Sequence, residues 1–244
     1  MSKVDLTLAL PAYNEARNIE NILKASTSAL EGLDLAWELL VIDNCSTDDT
    51  AQLADAFAEH HPGVRVIRHD RNRQYSGSCA TAIDEANGER VAIMDSDGQV
   101  DPADLSVFLE LLDRGANLVF GWRRERDDPP ARLAMSYVFN LMGKWHLRFP
   151  FHDLNCGFRV FDRRFAEVAR IDHEINLVNP ELYVRARLAG LAMDEVAVRH
   201  SARMGGKSSH EFRHTLRIFR MVNRYLSDLG RELRAGIELA RIDP

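Results

Sequence analysis

The stretch Arg90-Val91-Ala92-Ile93-Met94-Asp95-Ser96-Asp97-Gly98-Gln99 reads as a buried strand that runs out into two carboxylates. A near-continuous apolar run of this length is what a parallel strand covered on both faces looks like. In open α/β sheets, ligands sit beyond the carboxyl ends of such strands. Two acidic groups placed there repel each other and are costly to desolvate unless a cation or strong donors compensate them. A hard divalent ion, held by one or two carboxylates together with ligand phosphates, is the economical account. An acidic turn that caps the next helix is the plain alternative.

Working outward, apolar runs alternate with helical periodicities. Leu6–Leu10, Glu38–Ile42, Val64–Ile67, Val91–Met94 and Leu118–Phe120 predict strands, and Ala16–Leu30, Thr47–Glu59, Gly77–Ala86 and Ala103–Leu112 predict helices between them. That alternation is the βαβ rhythm of a mostly parallel sheet flanked by helices. Helix starts are marked by Ser46-Thr47-Asp48-Asp49 and by Asp101-Pro102. After Trp122 the rhythm breaks at the Arg/Asp/Pro-rich stretch Arg123–Pro130. A long helical pattern over Ala131–Leu147 follows, then an extended Asn155–Phe161, a helix near Glu181–Ala189 and a strand at Val196–His200. Glu211–Leu233 predicts a final amphipathic helix with apolar positions Phe212, Leu216, Phe219, Val222, Leu226, Leu229 and Leu233, and Arg213, Arg217, Arg220 and Arg224 striped beside them. Such a stripe either faces water or meets anionic lipid or a partner.

With 244 residues, 45% of them hydrophobic, the chain can bury a substantial core. It contains no apolar stretch long enough to span a bilayer and begins without a signal-peptide pattern. Cys45, Cys79 and Cys156 are scattered, with no CxxC pair, which suits a reducing, cytoplasmic setting and argues against zinc. The net charge of −6 conceals an asymmetry: residues 1–120 hold 9 Lys/Arg against 21 Asp/Glu, and residues 121–224 hold 19 against 12. An acidic half followed by a basic half fits a ligand whose phosphates are met by arginines. No basic face with a nucleic-acid docking element is present, so nucleic acid is not an expected partner.

Four loops hold the chemistry-bearing residues: Pro11-Ala12-Tyr13-Asn14-Glu15, Asp43 through Thr50, Asp95-Ser96-Asp97-Gly98-Gln99, and Arg199 through Ser208 with Arg203, Gly205-Gly206 and Lys207. In this order they resemble the family 2 nucleotide-sugar glycosyltransferases of the GT-A fold, in the polyprenyl-phosphate (dolichol-phosphate mannose synthase-like) branch, over about residues 4–210. The resemblance implies a single Rossmann-like α/β domain at 1–210, with a nucleotide-sugar half at 1–100 and an acceptor half at 101–210, followed by an amphipathic helix at 211–244. It implies that Pro11, Tyr13 and Glu15 edge the nucleoside pocket, that Asp43 accepts from the nucleobase, and that Asp95 and Ser96 face the donor. Asp97 and Gln99 are the implied ligands of Mg²⁺ or Mn²⁺, and Arg203 and Lys207 close over the diphosphate on a glycine-rich lid. Asp48 and Asp49 read instead as helix-start acids. Ser76-Gly77-Ser78 stands where relatives carry a lysine, which is missing here.

On the acceptor side, Arg123, Arg132 and Ser136, with Asp153 through Arg159, resemble the branch that glycosylates a lipid monophosphate. The implied reaction is inverting transfer to a polyprenyl phosphate by a peripheral enzyme at the cytoplasmic membrane face. The alternative is a soluble hydroxyl acceptor on a sugar, nucleoside or other small metabolite. A hydroxyl would need a carboxylate base, and Asp153 and Glu181 are the candidates, Asp153 reading equally well as a loop residue. The histidines show no metal-binding spacing, and His200 alone stands close enough to the lid to touch phosphate or metal.

Overall fold

Successive strand residues feed two separate cores, and that alternation sets the architecture. In a computed structural model describing residues 3–124, 129–173, 176–201 and 215–242, Leu39 and Val41 enter one hydrophobic cluster while Leu40 and Ile42 enter the other. Val91 and Ile93 likewise face away from Ala92 and Met94. A strand buried on both faces has this period of two without any polar face.

The strands are β1 (Val4–Ala12), β2 (Trp37–Asp43), β3 (Val64–Arg68), β4 (Gly88–Ile93), β5 (Leu118–Arg123), β6 (Arg159–Asp162) and β7 (Met193–Val198). They form one sheet in the order β3-β2-β1-β4-β6-β5-β7. All neighbours run parallel except β6, which lies antiparallel between β4 and β5. The helices are α1 (Ile19–Glu31), α2 (Thr50–Glu59), α3 (Gln74–Glu85), α4 (Leu105–Asp113), α5 (Pro130–Leu147), α6 (Arg163–Ala166), α7 (Asn179–Leu188) and α8 (Thr215–Ile242). Residues of α1, α2 and α4 cover one face of the sheet, and residues of α3, α5, α7 and α8 cover the other. The result is a mixed, mostly parallel sheet in a single three-layer α/β domain, as the strand–helix rhythm predicts.

Two departures matter. The first helix begins at Ile19 rather than Ala16, because the amides of Asn18 and Ile19 turn back onto the Glu15 carbonyl and the Ala16 amide donates to Asp48. The predicted extended run over Asn155–Phe161 splits: only Arg159–Asp162 is strand, and Asn155 through Gly157 line the cavity described below. Pairing of Arg159 with Ile93 and Phe120 therefore brings a charged side chain to the carboxyl end of β4.

The last helix runs on to Ile242, beyond the Leu233 that closes the predicted pattern. Val222, Tyr225, Leu226, Leu229 and Leu233 are buried, whereas Phe219 stays 41% exposed. The Tyr225 hydroxyl donates to the Leu177 carbonyl at 2.8 Å, and Arg185 of α7 pairs with Glu232. Phe212 and Arg213 lie outside the described residues. Among the described residues, no helix is long and apolar enough to cross a membrane.

Candidate active site

A cavity of about 690 Å³ opens beyond the carboxyl ends of β1, β2 and β4, where the order of connections reverses and open α/β sheets bind ligands. Of the residues singled out above, Pro11, Tyr13, Glu15, Asp95, Ser96, Asp97, Gln99, Arg123, Arg132 and His200 line it. Asp43, Asp153 and Ser136 do not. Arg203, Lys207 and the Gly205-Gly206 pair lie outside the described residues.

The loops after β1 and β2 are laced together. The Asn14 side chain, on a residue with φ of 56°, accepts from the Thr47 amide at 2.8 Å. The Asn14 amide donates to Ser46, and the Glu15 amide donates to the Thr50 hydroxyl. Asp48 accepts from the amides of Ala16 and Thr50. Burial works against its charge, and the bonds from Thr50 and Ala16 outweigh it, holding its carboxyl below the usual range. This is the helix-start role read for Asp48. Glu15 accepts from Asn18 at 2.6 Å. Asp43 is buried beneath the loop and accepts from the Ser46 amide with both oxygens at 3.3 Å. The next residue, Asn44, reaches the cavity wall instead.

Asn44 anchors the far side of that wall. It accepts from the Arg73 amide at 2.8 Å and donates to Asn72 and to the Gln74 carbonyl. With its oxygen thus oriented, His69 bonds to it through Nδ1 at 2.9 Å and to Thr81 through Nε2 at 2.9 Å. Burial, reinforced by the Arg73 charge, pushes the His69 imidazole below its ordinary pKa, with Asp43 and Asp70 opposing. Below the ordinary value of about 6.5, unfolded chain then binds more protons than folded chain. The stabilising contribution is complete above that pH and is lost as pH falls. His69→Gln should therefore lose less melting temperature than wild type between neutral pH and mild acid. Equal losses would show that another group carries the acid sensitivity.

Asp95 and Asp97 extend beyond β4. The Ser96 hydroxyl between them is buried and donates to the Pro11 carbonyl at 2.7 Å, tying this turn to the end of β1. Asp97 accepts from the Gln99 amide at 3.1 Å, and the Gln99 side-chain nitrogen donates to the Ser201 carbonyl at 3.3 Å. Val100 and His200 form a β-bridge, and the Ser201 amide donates to the Gln99 carbonyl. His200 and Ser201 are thus anchored at Gln99 and Val100, beside the carboxylate pair.

Beneath Asp95 lies a network that sequence reasoning missed. The Tyr75 hydroxyl donates to Asp95 Oδ1 at 2.6 Å and receives Arg159 Nη2 in turn. Arg159 is 1% exposed and also donates to Asn179 Oδ1 at 2.9 Å and to the Gly157 carbonyl at 3.1 Å. Asn179 passes the chain on to the Cys156 carbonyl. Burial opposes the Arg159 charge, and Tyr75, Cys79 and Asp95 more than offset it, so its pKa stands above the ordinary value. Burial likewise raises Tyr75 well above its usual pKa, which keeps the hydroxyl protonated as the donor to Asp95. The available signal was a lone arginine inside the apolar run Phe158-Arg159-Val160-Phe161.

The basic wall has a different pattern. Arg123 grips Asp153 with both sides of its fork, Nε to Oδ2 at 2.7 Å and Nη2 to Oδ1 at 3.0 Å. Asp153 also accepts from the Asn155 amide. The aspartate thereby fixes Arg123 at the cavity edge. Arg132 lines the cavity from the first turn of α5, and Ser136 follows one turn later, half-buried. Glu181 is fully buried in α7, where it meets the Asp172 amide, His173 and Arg185.

Among curated proteins, the chain is 31% identical over 204 residues to glycosyltransferase AglD of Haloferax volcanii, covering 80% of this chain and 33% of that one. It is 27% identical over 221 residues to dodecaprenyl-phosphate galacturonate synthase of Rhizobium johnstonii, covering 89% and 65%. The chain thus spans between a third and just under two thirds of the length of these relatives. Among solved structures, glucosyl-3-phosphoglycerate synthase from Mycobacterium tuberculosis with uridine diphosphate superposes with a TM-score of 0.67 at 20% identity, over 93% of this chain and 80% of that one. A mannosyltransferase from Pyrobaculum calidifontis, in complex with GDP-Man and Mn²⁺, gives 0.60 at 19% identity, over 100% and 77%. These likenesses show a shared GT-A fold. Residues 7–169, well over half of the chain, match the family described as Glycosyl transferase family 2, and to that family the chain belongs.

Proposed function

We propose that this glycosyltransferase moves a sugar from a nucleoside diphosphate to a polyprenyl phosphate, with inversion. Residues 1–100 serve the donor, residues 101–210 serve the acceptor, and 211–244 are an accessory segment whose described part is α8. The observation that carries the acceptor class is the Arg123–Asp153 pair. Of the two candidate bases, Asp153 is locked onto an arginine at 2.7 and 3.0 Å and does not line the cavity. The other candidate, Glu181, is buried outside the cavity wall. The guanidiniums of Arg123, Arg132 and Arg159 line that wall. A phosphate monoester suits such a site, because it arrives anionic and attacks the anomeric carbon without a protein base. One of its oxygens bonds to that carbon as the bond to the donor diphosphate breaks, and the leaving nucleotide takes the electron pair. The planar forks of arginine match phosphate oxygens. The R. johnstonii relative, named for a dodecaprenyl-phosphate product, supports this class.

The donor set fits a hard divalent ion, Mg²⁺ or Mn²⁺. Asp97 offers a carboxylate, and Gln99, its nitrogen committed to Ser201, offers an amide oxygen. Asp95 stands beside them, held by Tyr75. Among the described residues, no three His, Cys, Asp or Glu side chains converge as a metal site by themselves. A shell completed by substrate phosphate oxygens is the usual arrangement for Mg²⁺. The chemistry such an ion supplies is Lewis-acid neutralisation of the leaving diphosphate. Pro11, Tyr13 and Glu15 hold the nucleoside edge, Ser96 fixes the turn that faces it, and Asp43 supports the loop from below. Arg203 and Lys207 are assigned to the diphosphate.

A second reading, a small soluble acceptor, draws on the phosphoglyceric acid complex of the M. tuberculosis neighbour. The test is a thermal-shift panel of GDP-, UDP- and dTDP-sugars with and without Mn²⁺, followed by transfer to short-chain polyprenyl phosphates and to hydroxyl acceptors. One nucleotide should raise the midpoint in a metal-dependent way, and transfer should require a phosphate. Arg132→Ala should lose a charge-assisted bond worth roughly 1.5–3 kcal/mol, a drop of about 10- to 100-fold in kcat/KM for the prenyl phosphate. The donor-induced shift should be unchanged. Transfer to hydroxyl acceptors with Arg132→Ala fully active would overturn the lipid-phosphate reading.

A further inference from the structure

The outer face of α5 is apolar in a place where water-exposed helices are polar. Leu133, Tyr137, Leu141 and Trp145 recur every fourth residue, which places them in one stripe along the helix. They are 38%, 70%, 56% and 82% exposed, and Val138 beside them is 38% exposed. The opposite side is already used, since Met142 and Leu147 are buried in the core and Gly143 packs against Leu154. A helix that is apolar on both sides is built to meet something besides its own domain.

The charge around the stripe identifies the occupant. Residues 130–148 and 215–227 contain no Asp or Glu, while Arg132, Lys144, Arg148, Arg217, Arg220 and Arg224 all fall within them. The two helices are joined side by side by the His146–Asn223 bond at 3.0 Å. Exposed Phe219 and Met221 lie among the arginines of α8. A second copy would bring like charges face to face, which is unfavourable. Aromatic side chains with an apolar body, rimmed by cations, match the boundary of an anionic bilayer. The stripe also begins at the cavity, because Arg132 lines the cavity and Leu133 is the next residue.

We propose that α5, flanked by the arginines of α8, is the surface that seats this protein on anionic lipid, with its apolar stripe leading from the cavity to the bilayer. This inference rests on the lipid-phosphate reading for its purpose, and its test is independent of catalysis. The full chain is sedimented with phosphatidylcholine vesicles, with and without phosphatidylglycerol, alongside a Leu141→Glu/Trp145→Glu variant. Wild type should partition at least tenfold more onto the anionic vesicles. The variant should lose that binding by at least tenfold while keeping its melting temperature and its nucleotide-sugar shift. Absence of wild-type binding, or binding that survives the double substitution, would overturn the proposal. So would light scattering that shows a dimer dissolved by the same substitutions. Vesicle binding without transfer to any prenyl phosphate would keep the docking surface and remove the proposed reaction. Transfer to a water-soluble, short-chain prenyl phosphate without vesicle binding would do the reverse.

Discussion

Asp97→Asn should reduce sugar transfer by about a thousandfold and leave the melting temperature where it was. The substitution removes one negative charge and almost no volume. The oxygen that accepts from the Gln99 amide at 3.1 Å survives in asparagine, so the turn beyond β4 keeps its shape. Lewis-acid stabilisation of a leaving diphosphate is worth several kcal/mol, and each 1.36 kcal/mol is about tenfold in rate. The loss should fall on kcat and kcat/KM together, the pattern of an interaction made in the transition state. Wild type in EDTA should show a comparable loss, reversed by Mn²⁺, whereas the variant should not recover at ordinary Mn²⁺ concentrations. Full activity in EDTA, with wild-type kinetics in Asp97→Asn, would rule out any metal role for this carboxylate pair.

How much of this was legible in the sequence depends on the distance over which each feature acts. The cluster proposed for the donor was readable as a cluster because it is local. Buried strands such as Leu39 through Ile42 announce themselves by composition, and the loops beyond them are contiguous in the chain. Pro11 through Glu15 and Asp95 through Gln99 therefore fall together at the strand ends as soon as the sheet is parallel. On the side proposed for the acceptor, Arg123 and Arg132 were legible as residues but their pairings were not, because those join distant segments. Nothing near Arg123 in sequence says that it will be gripped by Asp153, thirty positions away. That single pairing makes Asp153 the clamp of an arginine. Tyr75 and Arg159 are separated by 84 positions, and they meet only because the short strand β6 inserts antiparallel beside β4. Four residues are too few to show a period, so the strand that carries the buried arginine was readable only as part of a longer extended run, Asn155–Phe161.

The same inserted strand makes Gly157 the position of second-largest expected effect. A methyl group added there would land inside the Asp95 carboxylate. Asp95 has little room to yield, because the Tyr75 hydroxyl holds its Oδ1 at 2.6 Å and Arg159 holds Tyr75 from behind. Gly157→Ala should therefore push the carboxylate off its place on the cavity wall. A misplacement of about 1 Å in a reacting site can cost roughly a hundredfold in rate, and overpacking of this kind costs roughly 1–3 kcal/mol in stability. The metal requirement discriminates this displacement from general damage: the Mn²⁺ concentration for half-maximal donor binding should rise in Gly157→Ala, and a merely loosened fold would not move it selectively. Tyr75→Phe supplies the second arm. It releases Asp95 from its tether, so the stability cost of Gly157→Ala should be smaller in that background than in wild type, a non-additivity expected of side chains in direct contact. Strict additivity, or a Gly157→Ala protein with wild-type kcat and wild-type Mn²⁺ response, would show that Asp95 is free to turn away and that the buried tyrosine–arginine network does not position it.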